Sequence, residues 1–322
     1  MAGVLATVQR LIDGKKVAES SDLQGRHFLV TGCAEGSLGF ATALGLLERG
    51  AVVSLTVRQN SNLIAASLCQ LLDGQYRHNI HAFNLDLSSF DSVEQFVRAY
   101  QAADLPLDVL INNAGIHLDL MSKWTSPQCS ADGHEIQWRV NYLGTGHLTL
   151  RLLPLLSSSA KNSGDSRVVN VVSQLHSKGL NSEFFEPRRP YNSWHAYGQS
   201  KLALVHLTRS INRHFAQVGI SSYCLHPGAV YTNVAGKGLA NTGLIEKVRN
   251  ILAPLEKLFL KTPRQGAQTQ IHCATAAKEA LMPGSYYRDM RVAAASSEAE
   301  DAATADALWS ELHTWVDQVQ AA

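Results

Sequence analysis

The chain has 322 residues, of which 45% are apolar and 17% are charged. This balance supports a large buried core and excludes disordered, collagen-like and fibrous proteins. The 28 basic and 27 acidic residues nearly cancel, and no long block of like charge stands out. The composition therefore gives no indication of nucleic acid or a membrane surface as a partner, and it favours a small-molecule substrate.

Residues 1–24 are predicted to form an N-terminal extension. Their apolar runs are short and are interrupted by charged residues between Arg10 and Lys16, so we expect neither a signal peptide nor an integral membrane segment. Apolar residues between Val4 and Ile12 recur at helical spacing. We expect this helix to pack on its own domain, although a membrane surface or a partner would also suit the pattern.

The cysteines and histidines give no metal-binding pattern. The cysteines are Cys33, Cys69, Cys129, Cys224 and Cys273. They are odd in number and contain no Cys-x-x-Cys pair, which favours a reducing compartment and a cytoplasmic protein. The 13 histidines show no metal-ligand spacing on one predicted helix, so no metal site is predicted.

Apolar runs of strand length alternate with helical patterns through the first two-thirds of the chain. The predicted strands are His27–Thr31, Val52–Val57, Ile80–Asn84, Asp108–Asn112, Arg167–Ser173 and Ser221–His226. The predicted helices are Leu38–Arg49, Leu63–Asp73, Phe90–Ala103, Gly133–Leu156 and Ala196–Val218. The alternation predicts a single-domain, Rossmann-type α/β fold, a doubly wound parallel sheet with helices on both faces. No linker or repeat interrupts it, so residues 25–322 are predicted to be one domain.

The pattern is less regular in the last third of the chain, which is predicted to elaborate the substrate side. It contains the segment Ala229–Leu260, a predicted helix Thr262–Ala277 and a short aromatic strand around Tyr286. The Ala- and Glu-rich stretch Ala293–Ala307 is predicted to be a loosely held surface segment. An amphipathic helix is predicted between Leu308 and Val316.

A glycine-rich turn, TGCAEGSLG, joins the first predicted strand to the first predicted helix. A dinucleotide pyrophosphate can bind there to backbone N–H groups and the positive end of the helix. The alternative is that the turn is only a tight connection. The candidate cofactor-binding residues of this turn are Thr31, Gly32, Gly36, Ser37, Leu38 and Gly39.

This turn resembles the Thr-Gly-x-x-x-Gly-x-Gly motif of the short-chain dehydrogenase/reductase family, with one residue more before its last glycine. We expect the loop to bulge, or Ser37 to take the place of the middle glycine. Glu35 brings a negative charge near the expected phosphates, which would weaken binding unless the side chain points to solvent.

Arg58 ends the second predicted strand, where a carboxylate would bind the ribose 2′-hydroxyl of NAD. An arginine can instead form charge-assisted bonds with the 2′-phosphate of NADP. We therefore predict NADP(H) in preference to NAD(H). The alternative is a solvated surface arginine.

Two further strand ends match positions of the family. Asp86 and Leu87 follow the third strand, where the resemblance implies a contact with the adenine amino group. The sequence Asn112-Asn113-Ala114-Gly115 ends the fourth strand and matches the family's Asn-Asn-Ala-Gly motif. The resemblance implies that Asn113, Ala114 and Gly115 line the cofactor.

Tyr197 and Lys201 are four residues apart on a predicted helix, so they share one face. A free tyrosine has a pKa near 10, and a neighbouring ammonium can stabilise its phenolate. Ser173 ends the fifth predicted strand, at the edge of the sheet where ligands bind. Tyr197 would exchange a proton with a carbonyl or alcohol oxygen while Ser173 holds that oxygen.

The resemblance implies further site residues. Asn141 matches an asparagine that completes a water-linked proton relay in the family. Pro227 and Gly228 match a turn beside the nicotinamide, and Val230 and Thr232 are predicted as cofactor contacts.

Four segments carry a resemblance to the retinol dehydrogenase, WW-domain oxidoreductase and protochlorophyllide reductase branch. They are Arg167–Ser173, Tyr197–Ala203, Val230–Asn233 and Lys261–Gln268. Between Ser173 and Tyr197 lie 23 residues that include Phe184, Phe185, Tyr191 and Trp194. These aromatic residues could wall an apolar substrate pocket, or they could only anchor a surface loop.

These features predict an NADP-dependent oxidoreductase that transfers hydride to or from a carbonyl or alcohol of a lipophilic small substrate. One alternative is a reductase of a conjugated double bond. Another is a nucleotide-binding regulatory module without turnover. The family resemblance implies a homodimer or homotetramer.

Overall fold

A computed structural model describes residues 17–19, 21–117, 126–186, 188–230 and 261–321. The predicted helix between Val4 and Ile12 and the candidate residue Thr232 lie outside the described residues. So does most of the segment Ala229–Leu260.

The described residues form an eight-stranded sheet surrounded by helices, which confirms the predicted Rossmann-type fold. The strands are β1 His27–Thr31, β2 Val52–Val57, β3 Ile80–Asn84, β4 Val109–Asn112, β5 Ser166–Val171, β6 Ile220–His226, β7 Tyr286–Arg288 and β8 Arg291–Ala293. The helices are α1 Leu38–Leu47, α2 Ser61–Leu71, α3 Phe90–Ala102, α4 Thr145–Ser163, α5 Ser193–Phe215, α6 Pro263–Thr275 and α7 Ala302–Ala321. A short helical turn Ile136–Trp138 and a π-helical turn Arg139–Gly144 lead into α4.

The strand order is β3-β2-β1-β4-β5-β6-β7-β8, and only the β7–β8 pair is antiparallel. β1 pairs with β2 on one side and with β4 on the other, so the order of the strands reverses between β1 and β4. In open α/β sheets the ligand crevice lies at this reversal, outside the carboxyl ends of the strands. The fold therefore places the candidate residues of β1, β4 and β5 along one edge.

Two buried apolar cores cover the two faces of the sheet. One core joins the sheet to α3, α4, α5 and α7, and the other joins it to α1, α2 and α6. Burial on both faces explains why most strands read as continuous apolar runs. In the part of the chain that the structure describes, no helix is both long and apolar enough to cross a membrane.

A chain of buried polar side chains crosses the sheet between α4 and α5. The Asn112 amide donates to Thr149 Oγ1 at 2.9 Å and to Asn170 Oδ1 at 2.8 Å. The Asn170 amide donates in turn to Thr208 Oγ1 at 2.9 Å. Asn112 and Asn170 are partners in the β4–β5 register, so this chain ties the two central strands to the helices above them.

The predicted helix Gly133–Leu156 differs from the structure at both ends. The helix predicted from Gly133 begins at Ile136, because Gly133 has a left-handed φ of 82° and Glu135 caps the helix by accepting from Trp138 N. Helix α4 continues past Leu156 to Ser163, where Gly164 ends it in the left-handed conformation.

The prediction of a loosely held surface segment at Ala293–Ala307 is wrong. This stretch contains the end of β8, a 3₁₀ turn Ser297–Glu300 and the start of α7. Ala299 is buried, and its carbonyl accepts a hydrogen bond from Arg209. Such contacts join residues far apart in the sequence, so composition alone could not reveal them.

Candidate active site

The glycine-rich turn leads directly into α1. Ser37 caps the helix: its Oγ accepts from Phe40 N at 3.1 Å and donates to Gly32 O at 3.2 Å. Gly36, just before it, has a φ of 72°, a conformation that favours glycine. The extra residue of the motif is thus accommodated by a left-handed turn at Gly36, and Ser37 begins the helix.

The last glycine of the turn must lack a side chain. A β-carbon at Gly39 would lie 2.5 Å from both Asn113 Nδ2 and Gly32 O. Glu35 is exposed, and its Oε1 accepts from the Ser67 hydroxyl of α2 at 3.4 Å. The missing side chain therefore lets the start of α1 pack directly on Gly32 and Asn113, and the Glu35 carboxylate is directed to α2 and solvent.

The Asn-Asn-Ala-Gly segment after β4 is bound to the end of β1. Thr31 Oγ1 accepts from Asn113 N at 3.0 Å and from Ala114 N at 2.9 Å. The Asn113 amide donates to Thr31 O at 2.7 Å. A β-carbon at Gly32 would lie 2.9 Å from Ala114 Cα. These contacts hold the two loops of the crevice together.

Arg58 and Asp86 lie after β2 and β3 at the same edge of the sheet. Arg58 is exposed and has no ion pair with any residue that the structure describes. Asp86 Oδ1 accepts from the Ser88 N–H and hydroxyl at 2.8 and 2.6 Å. Leu87 is buried, and its carbonyl accepts from Arg139 Nη1 at 2.7 Å. Arg58 therefore keeps its donors available for an anionic group.

Ser173, Tyr197 and Lys201 come together after β5. The Ser173 side chain lies close enough to the Tyr197 hydroxyl to lower its pKa. Lys201 Nζ donates to Val171 O at 3.0 Å and lies 5.7 Å from the centre of the Tyr197 ring. The hydroxyl groups of Ser173 and Tyr197 can thus contact one substrate oxygen, with an ammonium group close behind.

Burial governs the titration of these two α5 side chains. It raises the pKa of Tyr197 to about 12, against the lowering effect of the Ser173 side chain. It lowers the pKa of Lys201 to about 8. From the sequence we considered only how the Lys201 ammonium stabilises the phenolate. In the structure, burial has the larger effect on the pKa of Tyr197, because it disfavours the charged phenolate. At neutral pH Tyr197 therefore holds its proton and Lys201 keeps most of its charge.

Asn141 lies in the middle of the π-helical turn, next to the end of β4. Its amide donates to Ile116 O at 3.0 Å and to Ser200 Oγ at 3.0 Å, and its Oδ1 accepts from Ile116 N at 2.8 Å. A β-carbon at Gly115 would lie 3.1 Å from both Asn141 Oδ1 and Lys201 Nζ. The side chains of Asn141 and Lys201 therefore both lie next to Gly115.

His117 is a neighbour of Tyr197 that the sequence reasoning missed. Its imidazole stacks on the Tyr197 ring, with centroids 4.3 Å apart and planes 17° apart. Trp194 meets His117 edge to face at 4.7 Å. Its position could have indicated it, because His117 follows the Asn-Asn-Ala-Gly motif by only two residues.

His176 is a second missed residue, and it fixes the backbone at Ser173. His176 Nδ1 lies 2.6 Å from Ser173 O, and His176 Nε2 accepts from Ser296 N at 3.0 Å. Burial lowers the pKa of His176, so the neutral ring donates through Nδ1 to the carbonyl. No local pattern indicates this contact, because Ser296 is 120 residues away from His176 in the sequence.

The turn after β6 contacts α6 and α1. A β-carbon at Gly228 would lie 2.9 Å from Lys261 Cδ, and Pro227 before it is partly exposed. Val230 pairs with Lys261 in a parallel bridge. A β-carbon at Gly266 would lie 2.5 Å from a Val230 methyl group and 3.0 Å from Leu38 Cδ1. Val230 and Leu38 are thus brought together, whereas Thr232 lies outside the described residues.

Among the described residues, no group of three or more His, Cys, Asp or Glu side chains is placed to hold a metal ion. The described residues thus form a Rossmann-type crevice with Tyr197 and Lys201 at one edge.

Comparison with known proteins identifies the family. Residues 26–242 match the family model described as short chain dehydrogenase. Human retinol dehydrogenase 13 is 31% identical over 97% of this chain and 90% of its own length. Mouse retinol dehydrogenase 14 is 35% identical over 89% of this chain and 84% of its own. The WW domain-containing oxidoreductase of Gallus gallus is 31% identical over 91% of this chain and 69% of its own.

Solved structures agree with this assignment. An uncharacterized protein from Mycobacterium paratuberculosis has a TM-score of 0.67 at 27% identity, over 94% of this chain and 98% of its own. The RhlG protein of Pseudomonas aeruginosa, solved as a complex with NADP at the active site, has a TM-score of 0.60 at 26% identity, over 82% of this chain and 94% of its own. The chain belongs to the short-chain dehydrogenase/reductase family, in its retinol dehydrogenase branch, and is an NAD(P)-dependent enzyme.

Proposed function

We propose that the enzyme uses NADP(H) to interconvert a carbonyl group and an alcohol on a lipophilic small substrate. The observation that carries this proposal is the convergence of Ser173, Tyr197 and Lys201 after β5. When bound, NADPH would supply the hydride. The Tyr197 hydroxyl gives its proton to the substrate oxygen, Ser173 holds that oxygen, and Lys201 stabilises the phenolate that remains.

The choice of NADP rests on Arg58. Arg58 is exposed at the end of β2, where no carboxylate stands to repel a 2′-phosphate. The backbone N–H groups at the start of α1, just after the Ser37 cap, would bind the pyrophosphate of either cofactor. A relative with 26% identity was solved with NADP, which supports the same choice here.

The lipophilic substrate rests on the loop before α5. Phe184 packs against Trp138 at 5.8 Å, and the Tyr191 hydroxyl donates to Glu135 Oε1 at 3.1 Å, so these two anchor the loop. Trp194 instead packs on His117 beside Tyr197, and Phe185 is 49% exposed. The partly exposed Trp194 ring, which reaches Tyr197 through His117, favours a substrate with an apolar body.

Three further predictions concern the domain organisation, the cellular location and the oligomeric state. We propose that residues 25–322 are one domain, because the two cores share a single sheet. Cytoplasmic location and assembly into a homodimer or homotetramer stay predictions.

The test is a set of lipophilic aldehydes, ketones and enones incubated with NADPH and then with NADH, with products identified by mass spectrometry. We expect NADPH-dependent formation of alcohols, including allylic alcohols from enones. Saturated ketones from enones would assign the double-bond alternative. Tight NADPH binding without turnover of any compound would assign the regulatory module.

A further inference from the structure

Trp315, near the end of α7, packs on the guanidinium group of Arg139. The Arg139 Cζ lies 4.9 Å from the centre of the Trp315 ring, within the range of a cation–π contact. Arg139 is the first residue of the π-helical turn that carries Asn141. The C-terminal helix therefore contacts the turn that holds the candidate relay residue.

Arg139 is held from three sides. Its Nε lies 2.6 Å from Asp132 Oδ2, its Nη1 donates to Leu87 O at 2.7 Å, and its face is covered by Trp315. The Arg139 side chain is 0% exposed. A buried charge is stable only when its partners stay in place, so the position of Arg139 is tightly determined.

Helix α7 contacts the same helical stretch beyond Asn141. The Tyr142 hydroxyl donates to Leu308 O at 3.0 Å. A β-carbon at Gly146 would lie 2.6 Å from Leu312 Cδ2, which shows how closely the two helices approach. The helix thus supports residues on both sides of Asn141.

The π-helical turn itself needs this support. π-helical turns are rare, and they occur mostly as single turns at functional sites. Relaxation of the Arg139–Gly144 turn to ordinary α-helical bonding would rotate Asn141 away from Ile116 and Ser200. Contacts that fix Arg139 oppose that rotation, together with Asn141's own bonds to Ile116 and Ser200.

We propose that Trp315 and Arg139 are positioning residues, through which α7 holds Asn141 in place for proton transfer. This inference rests on the proposed function for its effect on turnover, but its effect on structure can be measured separately. Asn141 Oδ1 accepts from the Ile116 N–H, so hydrogen exchange at the Ile116 amide reports directly on the position of Asn141.

Trp315→Leu should be compared with Trp309→Leu, a matched change on the same helix. Trp309 stacks on His214 at 5.1 Å near the end of α5, away from the π-helical turn. Both variants should lower the melting temperature, because both lose aromatic packing. Only Trp315→Leu should accelerate exchange at Ile116 and lower kcat, by about tenfold, with NADPH affinity within about twofold of wild type. Equal exchange rates and equal kcat values in the two variants would overturn the proposal.

A double-mutant cycle tests whether Trp315 acts through Asn141. Once Asn141→Ala has removed the relay residue, adding Trp315→Leu should lower kcat no further. A second full loss in the double variant would contradict the proposal. Arg139→Lys should keep more of kcat than Arg139→Met, because lysine retains the charge beside Asp132.

Turnover is measured on a substrate that wild type reduces and Tyr197→Phe does not. If no such substrate exists, the proposed function fails, while the exchange at Ile116 still decides the positioning role.

Discussion

The cofactor side of the crevice is held by contacts between two short loops, whereas the catalytic side depends on residues far along the chain. After β1 and β4, Asn113 and Thr31 bind each other directly, and both belong to recognisable motifs. After β5, the backbone of Ser173 is fixed through His176, which accepts from Ser296 N. Part of the support of the catalytic side thus comes from the C-terminal part of the chain, in addition to nearer partners such as Val171 and Ile116.

This difference shows which kinds of change each side tolerates. Two motifs that supply each other's hydrogen-bond partners are disturbed by substitutions within either motif. A residue that relies on distant partners is disturbed by substitutions that no motif would reveal, such as a change at Ser296 or at Trp315. Cofactor affinity and turnover, measured independently in variants of each side, distinguish the two kinds of change.

The largest expected effect is on the catalytic side. Tyr197→Phe keeps the ring and its stack on His117 but removes the proton, so kcat should fall by roughly 10² to 10⁴ fold. NADPH affinity, from fluorescence titration, and the melting temperature should stay near the wild-type values. Near-full activity would show that another group donates the proton. A collapse in stability would make Tyr197 a structural residue.

On the cofactor side, Arg58→Ala should weaken NADPH binding and leave NADH binding unchanged. Loss of a charge-assisted contact costs roughly 1.5 to 3 kcal/mol, which is about 10- to 100-fold in Kd. Arg98→Ala, at an exposed arginine of α3, is the control for the loss of one positive charge. Isothermal titration of both cofactors measures the effect. Equal affinity of wild type for both would refute the NADP assignment.

Gly39→Ala tests the close approach between the two loops. The new β-carbon would meet Asn113 Nδ2 and Gly32 O, both at 2.5 Å, so the loops must separate. Overpacking of this kind costs about 1 to 3 kcal/mol, and we expect a lower melting temperature together with weaker NADPH binding. At saturating NADPH kcat should change little. A loss of kcat with normal affinity would show that the two sides are not independent.

The smallest effect expected is a pH dependence. Burial lowers the pKa of Lys201 to about 8, so its ammonium is charged below that pH and neutral above it. The rate of carbonyl reduction should therefore fall as the pH rises through 8, by about twofold between pH 7 and pH 8. Tyr197, with a pKa of about 12, keeps its proton over this range. A flat kcat/KM profile between pH 7 and pH 10 would contradict the role of Lys201.

Local sequence patterns predicted much of the fold. They predicted none of the contacts between distant residues that hold the catalytic side, such as His176 with Ser296. The bounds of β1, β2 and β3 agree with the prediction, because each is a short apolar run ended by polar or glycine residues. The π-helical turn at Arg139–Gly144 was not predicted, because its apolar spacing resembles that of an α-helix. The structure places the predicted residues Ser173, Tyr197 and Lys201 together, and their catalytic roles stay predictions. The contact of Trp315 with Arg139 depends on how α7 docks, which no local pattern encodes.

The buried pair Asn112 and Asn170 also has a consequence for how the chain folds. A slip of one residue between β4 and β5 would turn one of the two amides toward the opposite, apolar face of the sheet. That amide would lose its partners, and an unsatisfied buried polar group costs about 1 to 3 kcal/mol. Misaligned pairings of these central strands are therefore disfavoured by contacts that do not involve the C-terminal helix.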